Sequence, residues 1–387
     1  MTEAGKYINH GSYKTFQPRL LSEPIDVVDD QANILLADAM RYLGELNAYS
    51  QLVPDIDYFI RMHIAKEATT SSKIEGTKTN LIDVIQDDEQ SIAELGEEQR
   101  DDLEEVQNYI KAVNFAVHKL HKLPLATRLI CDTHEVLLSG VRGFARAPGQ
   151  IRKTQNWIGG GGDITTAAYT PPSPDTVNDL LSDLEKYWHN DSTNTPNLIK
   201  IALCHYQFET IHPFLDGNGR TGRLLISLQL IDKKILLKPA LYISDYLERH
   251  RAAYYDALDR VRLTGDYTQW IRFFLSGVVE TAKDAKETLQ AIVALKEAYT
   301  NLVHASSLSR PRQEKALSLI TTMYGQPIMT IRQLQEELSS SWQTAADLAI
   351  YLKELGILSE ITGDAKNRKF ALAEYFDLFN KPRRSHE

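Results

Sequence analysis

The feature that most constrains this chain is an apolar helical run that stops at a proline and restarts after two glycines. Ile201, Ala202, Cys204 and Phe208 lead to Ile211, and Pro213 then forces the backbone out of helix. Gly217 and Gly219 permit conformations closed to other residues before helical spacing resumes. The pattern predicts helix, tight loop, helix, with His212 presented at the C-terminal end of the first helix and Phe214 anchored in the core. The amides that open the second helix form an anion nest, reinforced by the helix dipole. Arg220 and Arg223 stand three apart in its first turn, so both are expected to face the same anion, and a planar guanidinium fork grips phosphate oxygens bidentately.

Two further groups give this loop chemistry. Asp216 lies one residue before the nest, and a single carboxylate beside bound phosphates is how Mg2+ is usually held. His212 is the nearby group whose ordinary pKa suits a general base. Zinc does not fit, because no second His or Cys stands at ligand spacing and His205 lies seven residues upstream on a helix. Nor is Gly217-Asn218-Gly219-Arg220 a Walker A loop, which ends in Gly-Lys-Ser/Thr after a strand. A bare Gly-Asn-Gly would equally suit an Asx-type turn. The His-Pro-Phe in front and the paired arginines behind favour the functional reading.

Around this loop the chain is predominantly helical in period. Helices are predicted at 32–46, 56–72, 103–120, 126–138, 175–190, 195–210, 219–232, 245–263 and 267–300. The first thirty residues, interrupted by Pro18 and Pro24, read as an extended surface arm. The carboxylate-dense stretch 87–105 reads as a solvated loop entering a helix. Residues 146–174 break the period with Pro148, Gly149, the run Gly159–Gly162 and Pro171-Pro172, which predicts a loop or short hairpin. No βαβ alternation is visible, so the fold class is mainly α: a helical bundle with one β-hairpin flap. After residue 305 come three short helical patterns (316–323, 331–338, 344–355). Two strand-like runs, 357–362 and 369–372, then flank 363–368, the order of a winged helix-turn-helix. The domain boundaries expected are 1–110, 111–305 and 306–387.

Composition excludes some roles. A formal net charge of -9 and a pI near 5.7 argue against bulk affinity for nucleic acid or anionic membrane. Cys131 and Cys204 sit in apolar helical contexts and read as core thiols, which suits a reducing, cytoplasmic setting. The N-terminus has no apolar core of a secretory signal, and no apolar run is long enough to cross a bilayer.

The span His212-Pro213-Phe214-Leu215-Asp216-Gly217-Asn218-Gly219-Arg220-Thr221-Gly222-Arg223 resembles the full signature of the Fic family. That resemblance implies a Fic-type bundle and a protein adenylyltransferase, which moves AMP from ATP onto a target hydroxyl. It makes His212 the base and Asp216 the Mg2+ ligand. Asn218, with the amides of Gly217 and Gly219, would orient the α-phosphate. Arg220 would contact the phosphates and Arg223 would reach the γ-phosphate. Thr221 and Gly222 complete the implied nucleotide-binding set. Upstream, Ser71-Ser72-Lys73-Ile74-Glu75-Gly76 resembles the inhibitory motif of self-braked relatives. It implies a Glu75–Arg223 pair, with Ser71 and Gly76 as the other motif positions. An arginine already neutralised by a carboxylate cannot also clamp a phosphate.

Gly149–Arg152, Gln155–Gly159 and Tyr169–Pro172 resemble the family's flap, whose edge at 157–169 would hold a target protein by strand addition. Tyr254 and Tyr255 fall where relatives place adenine-pocket residues, although adjacent tyrosines on a helix point in different directions. Alternatives stay open. The same site could remove AMP from a modified protein. The chain could instead be a nucleotide-sensing DNA-binding regulator, with 344–355 as recognition helix and Lys366, Arg368 and Lys369 on the wing. Asp347, Glu354, Glu360 and Asp364 dilute that positive face, which favours a protein-binding or dimerising role for residues 306–387. Homodimerisation, the target and the nucleotide donor beyond ATP are left open by the motifs.

Overall fold

A computed structural model describes residues 3–25, 27, 29–52, 56–86, 92–93, 95–140, 146–362 and 368–380. The N-terminal stretch is not a plain extended arm. Strands β1 (Gly5–Asn9) and β2 (Lys14–Pro18) pair antiparallel, with Tyr7 opposite Phe16. The driving force is burial of Phe16, which is 1% exposed and meets Tyr7 edge-on at 5.1 Å. The Phe16 N–H also donates to the Thr170 carbonyl at 3.0 Å, so the hairpin is laced to the segment leaving the flap.

Helices α1 (Asp30–Leu52), α2 (Ile56–Glu75), α3 (Leu81–Ile85), α4 (Glu97–Leu120) and α5 (Thr127–Leu137) follow. The expected acidic loop is already helix from Glu97, where Glu97 and Glu98 in the first turn complement the helix dipole. Residues 87–91 and 94 of that stretch lie outside the described residues. The boundary expected at 110 falls inside α4, which runs unbroken.

The centre of the protein is α6 (Val177–His189), α7 (Asn197–Ile211) and α8 (Asn218–Asp232). Every residue of α7 from Leu198 to Ile211 is buried, and α8 packs against α2, α4, α5 and α7. A helix covered on all sides carries no one-sided apolar stripe, so these two are recognisable in sequence by their stops rather than by periodicity. The single helix expected at 245–263 is two, α9 (Ser244–Arg249) and α10 (Arg251–Thr264). They part at His250, whose φ of -109° and ψ of 32° leave the helical region while its ring packs on Tyr246. Helix α11 (Tyr267–Ala305) spans 39 residues and runs along α1.

The flap departs from the expected hairpin. One antiparallel bridge joins Ile158 to Tyr169, and two 3-10 turns, Gly160–Gly162 and Ile164–Thr166, fill the space between. Gly160, Gly161 and Gly162 all adopt positive φ (77°, 59° and 99°), which coils the chain and prevents a longer ladder.

Beyond Ala305 come α12 (Arg310–Met323), β3 (Ile328–Thr330), α13 (Ile331–Glu337), α14 (Trp342–Glu354), β4 (Ser359–Glu360), β5 (Lys369–Ala371) and α15 (Ala373–Asn380). The antiparallel sheet has the order β3-β5-β4. Strand β3 and helix α15 have no counterpart in the sequence expectations, and residues 363–367, Asp364 and Lys366 among them, lie outside the described residues. Helix α15 packs on α2 and α11. Phe379 stands 6.2 Å from Phe59 and 5.4 Å from His63, ring centre to ring centre. Among the described residues no helix is long and apolar enough to cross a membrane.

Candidate active site

Helix α7 ends where Pro213 demands it. His212 takes the left-handed conformation (φ 49°, ψ 61°), an unfavourable choice for a residue with a Cβ, so its surroundings must hold it there. Two side chains from the flap segment do so. Arg152 Nε donates to the His212 carbonyl at 2.9 Å, and its Nη2 donates to the Pro172 carbonyl at 2.6 Å. Asn156 Nδ2 donates to the carbonyls of His212 at 3.2 Å and Phe214 at 2.8 Å. Arg152 is 3% exposed, and burial lowers its pKa to about 10, so it remains charged at neutral pH.

The imidazole of His212 is half-buried. Its Nδ1 faces the Glu209 carbonyl at 3.3 Å; a carbonyl only accepts, so Nδ1 carries the proton and Nε2 keeps its lone pair. Desolvation lowers the ring's pKa to about 4, despite the Glu209 carbonyl and the Glu75 charge acting the other way. The imidazole is therefore neutral across the physiological range and able to accept a proton.

The loop beyond is closed by its own side chains. Phe214 is 1% exposed, as its anchoring role requires. Asn218 Oδ1 accepts from the Phe214 N–H at 2.8 Å, and Asn218 Nδ2 donates to the Phe214 carbonyl at 2.9 Å. Its amide is thus spent on the loop rather than left free to meet a ligand. Gly217 has φ 71° and its N–H donates to Asp216 Oδ1 at 2.6 Å. Thr221 Oγ1 donates back to the Gly217 carbonyl at 2.8 Å, and Gly222 faces inward against Phe208 and the Glu209 carboxylate. Expected as ligand contacts, Thr221 and Gly222 instead pack the helix start, because that face of α8 abuts α7.

The two arginines diverge. Arg220 Nη1 donates to Glu105 Oε2 of α4 at 2.9 Å, with Asp216 Oδ1 at 3.8 Å from Nη2. Arg223, 1% exposed, turns the other way. Its Nη2 donates to Glu75 Oε1 at 2.7 Å and to the Ser71 carbonyl at 2.8 Å, and its Nε donates to Ser71 Oγ at 2.8 Å. The expectation that both face one anion does not hold in this arrangement, because carboxylates on α4 and α2 draw them apart. Burial pushes the Glu75 carboxyl up, but the charge and hydrogen bond of Arg223 outweigh it and hold the group below its usual range. Gly76, at φ 111°, ends α2 directly after Glu75. The Glu75 carboxylate lies over the first turn of α8, where a side chain on Gly219 would collide with it.

Tyr254 is 1% exposed, its hydroxyl 2.9 Å from His205 Nε2 and its ring among His205, Trp270 and Phe273. It is a core residue, not a pocket wall. Tyr255, 40% exposed on the next position of α10, faces outward. Two buried carboxyls behind Arg223 escaped the sequence reading. Burial raises both Glu67 and Glu209 to about 7. Glu67 Oε1 accepts from the hydroxyls of Ser244 and Tyr109.

Mg2+ can be tested against the donors present. Asp216 is an exposed carboxylate, its side chain 47% accessible, and among the described residues no group of three or more His, Cys, Asp or Glu could hold a metal. That set fits a magnesium ion whose remaining ligands are phosphate oxygens and water, and does not fit a protein-only cage.

Comparison with known proteins bears on this geometry. Residues 34–118 match the Fic/DOC family N-terminal model and residues 124–230 the Fic/DOC family model. The chain is 30% identical over 172 residues to the protein adenylyltransferase fic-1 of Caenorhabditis elegans, covering 44% of this chain and 30% of that relative. It is 30% identical over 155 residues to the protein adenylyltransferase Fic of Drosophila grimshawi, covering 40% and 29%. The chain therefore spans less than a third of the curated relatives it matches. Among solved structures it is similar to a Fic family protein from Desulfovibrio desulfuricans G20. The TM-score is 0.57 at 21% identity, covering 90% of this chain and 98% of that one. A Fic-1 fragment from C. elegans aligns with a TM-score of 0.50 at 22% identity, covering 68% and 73%. These structural likenesses speak to the fold.

Proposed function

We propose that this chain, which belongs to the Fic/DOC family through residues 34–118 and 124–230, transfers AMP from ATP to a hydroxyl side chain of a target protein and is restrained in cis by Glu75. The observation that carries the proposal is the pairing of a neutral His212, its Nε2 lone pair free of the Glu209 contact, with an adjoining helix N-terminus and Arg223. In the reaction, the oxygen of a target Ser, Thr or Tyr attacks the α-phosphorus. The bond from that phosphorus to the bridging oxygen breaks, pyrophosphate departs with the electron pair, and the hydroxyl proton passes to His212 Nε2. Asp216 would hold Mg2+, which supplies charge neutralisation on the phosphates when bound. The amides opening α8 and the Arg220 guanidinium bind and orient the triphosphate.

Arg223 is the remaining phosphate clamp, and Glu75 with Ser71 already occupies it. A γ-phosphate and the Glu75 carboxylate are like-charged competitors for one guanidinium, so the resting enzyme holds ATP poorly or in an unproductive pose. The target would dock on the 157–169 flap, where Trp157 and Ile158 are 37% and 38% exposed beside the loop-holding Arg152 and Asn156. The test is transfer of labelled AMP into protein. Glu75→Gly should raise it and His212→Ala in that background should abolish it. Equal labelling by wild type and Glu75→Gly would end the brake proposal.

For residues 306–380 a protein-contacting role is favoured over DNA. Arg368 donates to both oxygens of Glu360 at 2.6 and 2.8 Å, and Lys353 Nζ donates to Glu360 Oε2 at 2.9 Å. One carboxylate thereby answers a wing cation, Arg368, and a cation of α14, Lys353, that would otherwise be available to phosphate. A gel shift on random duplex at low and moderate salt decides between them.

A further inference from the structure

The outer half of the catalytic loop is held from a direction that no motif announces. His134 lies on α5, 82 residues before Asp216, and is fully buried. Its Nδ1 accepts the Gly149 N–H at 2.9 Å. An amide N–H only donates, so Nδ1 is the bare nitrogen and Nε2 carries the proton. Nε2–H donates to the Asp216 carbonyl at 2.9 Å. The ring lies flat on Phe214, with centres 3.7 Å apart and planes 7° from parallel.

Glycines make both contacts possible. At Gly149, φ is 72° and a Cβ would come 3.0 Å from the Glu135 Cβ and 3.2 Å from the Cys131 carbonyl, so the backbone can approach α5 only as glycine. At Gly217, φ is 71° and a Cβ would stand 3.3 Å from His134 Nε2. One imidazole thus joins the root of the flap segment to the backbone of Asp216 and the ring of Phe214.

We propose that His134 is a positioning residue, a hydrogen-bonded strut that fixes the Asp216–Gly217 backbone and so sets where Mg2+·ATP binds. This rests on the reading of Asp216 as the magnesium carboxylate. His134 itself touches neither nucleotide nor target. Its effect is transmitted through the Asp216 carbonyl, and the hydrogen bonds carry that effect rather than the bulk of the ring.

The experiment compares His134→Phe and His134→Gln in the full chain carrying Glu75→Gly. Phenylalanine keeps the stacked ring and loses both hydrogen bonds; glutamine can supply one donor and one acceptor without the ring. Amide hydrogen exchange is read over residues 214–218, and ATP binding is titrated calorimetrically at stepped Mg2+ concentrations. Exchange in the Phe variant should rise about tenfold, as the loss of about 1.4 kcal/mol of local stability would give. The Mg2+ needed for half-maximal ATP binding should rise by a similar factor, with the Gln variant within about threefold of the parent in both. Unchanged exchange in the Phe variant, or equal losses in Phe and Gln, overturns the proposal and leaves His134 as packing only. If the Glu75→Gly parent itself binds no ATP, the functional reading fails, while exchange still decides whether His134 holds the loop.

Discussion

Glu75 Oε1 and Arg223 Nη2 stand 2.7 Å apart, and the carboxylate occupies the space that any side chain on Gly219 would need. In the proposed brake, the pair would act twice, by charge on the guanidinium and by volume over the start of α8. Glu75→Gln separates the two effects, because it keeps the volume and removes the charge. AMP transfer by Glu75→Gln should fall between wild type and Glu75→Gly, with the glycine variant at least about tenfold above wild type, the scale of one charge-assisted hydrogen bond. Radiolabel incorporation at fixed ATP measures all three.

The pH dependence should reflect a depressed histidine. As the proposed base, His212 accepts a proton only when neutral, and burial lowers its pKa to about 4. Transfer by Glu75→Gly should stay level from pH 8 down to about 5.5 and fall only at about 4 or below, because removing Glu75 also removes a charge that raises the ring's pKa. An ordinary histidine would lose activity through about 6.5. A rate profile with a single limb near 6.5 would contradict the burial argument.

Glu67 and Glu209 should make the fold less stable as pH rises. Both carboxyls are raised to about 7, above the value they regain on unfolding, so the folded state binds their protons more tightly. Stability from these groups is full below about pH 4.5 and declines as pH climbs through 7. Glu67→Gln keeps an acceptor for Ser244 and Tyr109 and removes the titration. At pH 8 it should be more stable than wild type by up to about 3 kcal/mol, and near equal at pH 5. Urea unfolding at the two pH values reads the difference.

Arg152→Lys should cost more than a conservative change suggests. The planar fork reaches the carbonyls of His212, Pro172 and Ile211, and an ammonium cannot span all three. We expect about 2 kcal/mol lost in urea unfolding, from orphaned carbonyls in a buried site. Transfer in the Glu75→Gly background should fall at least about tenfold, because the left-handed His212 is no longer held.

The sequence made the loop legible because its chemistry is contiguous: stop signal, base, carboxylate, glycines and arginines follow one another from His212 to Arg223. Glu75 could be paired with Arg223 only through a resemblance, since 148 residues separate them. The loop-holding contacts of Arg152, Asn156 and His134 stayed hidden because each is made to a backbone carbonyl or amide, and such a partner leaves no residue pattern to search for. The divergence of Arg220 and Arg223 was equally invisible. Helical spacing placed them on one face, but Glu105 and Glu75 on separate helices decide where the guanidinium groups point. The flap, expected as a loop or short hairpin, keeps a single antiparallel bridge because successive positive-φ glycines coil the chain between Ile158 and Tyr169.

Helix α2 has a different neighbour at each end: Phe59 and His63 lie under Phe379, and Glu75 closes the far terminus. Cutting the chain at residue 305 is consequently not a neutral simplification. It would strip Phe379 from the rings it covers on the same helix that carries Glu75 at its other end. Assays on such a shortened protein would sample a different molecule from the intact one.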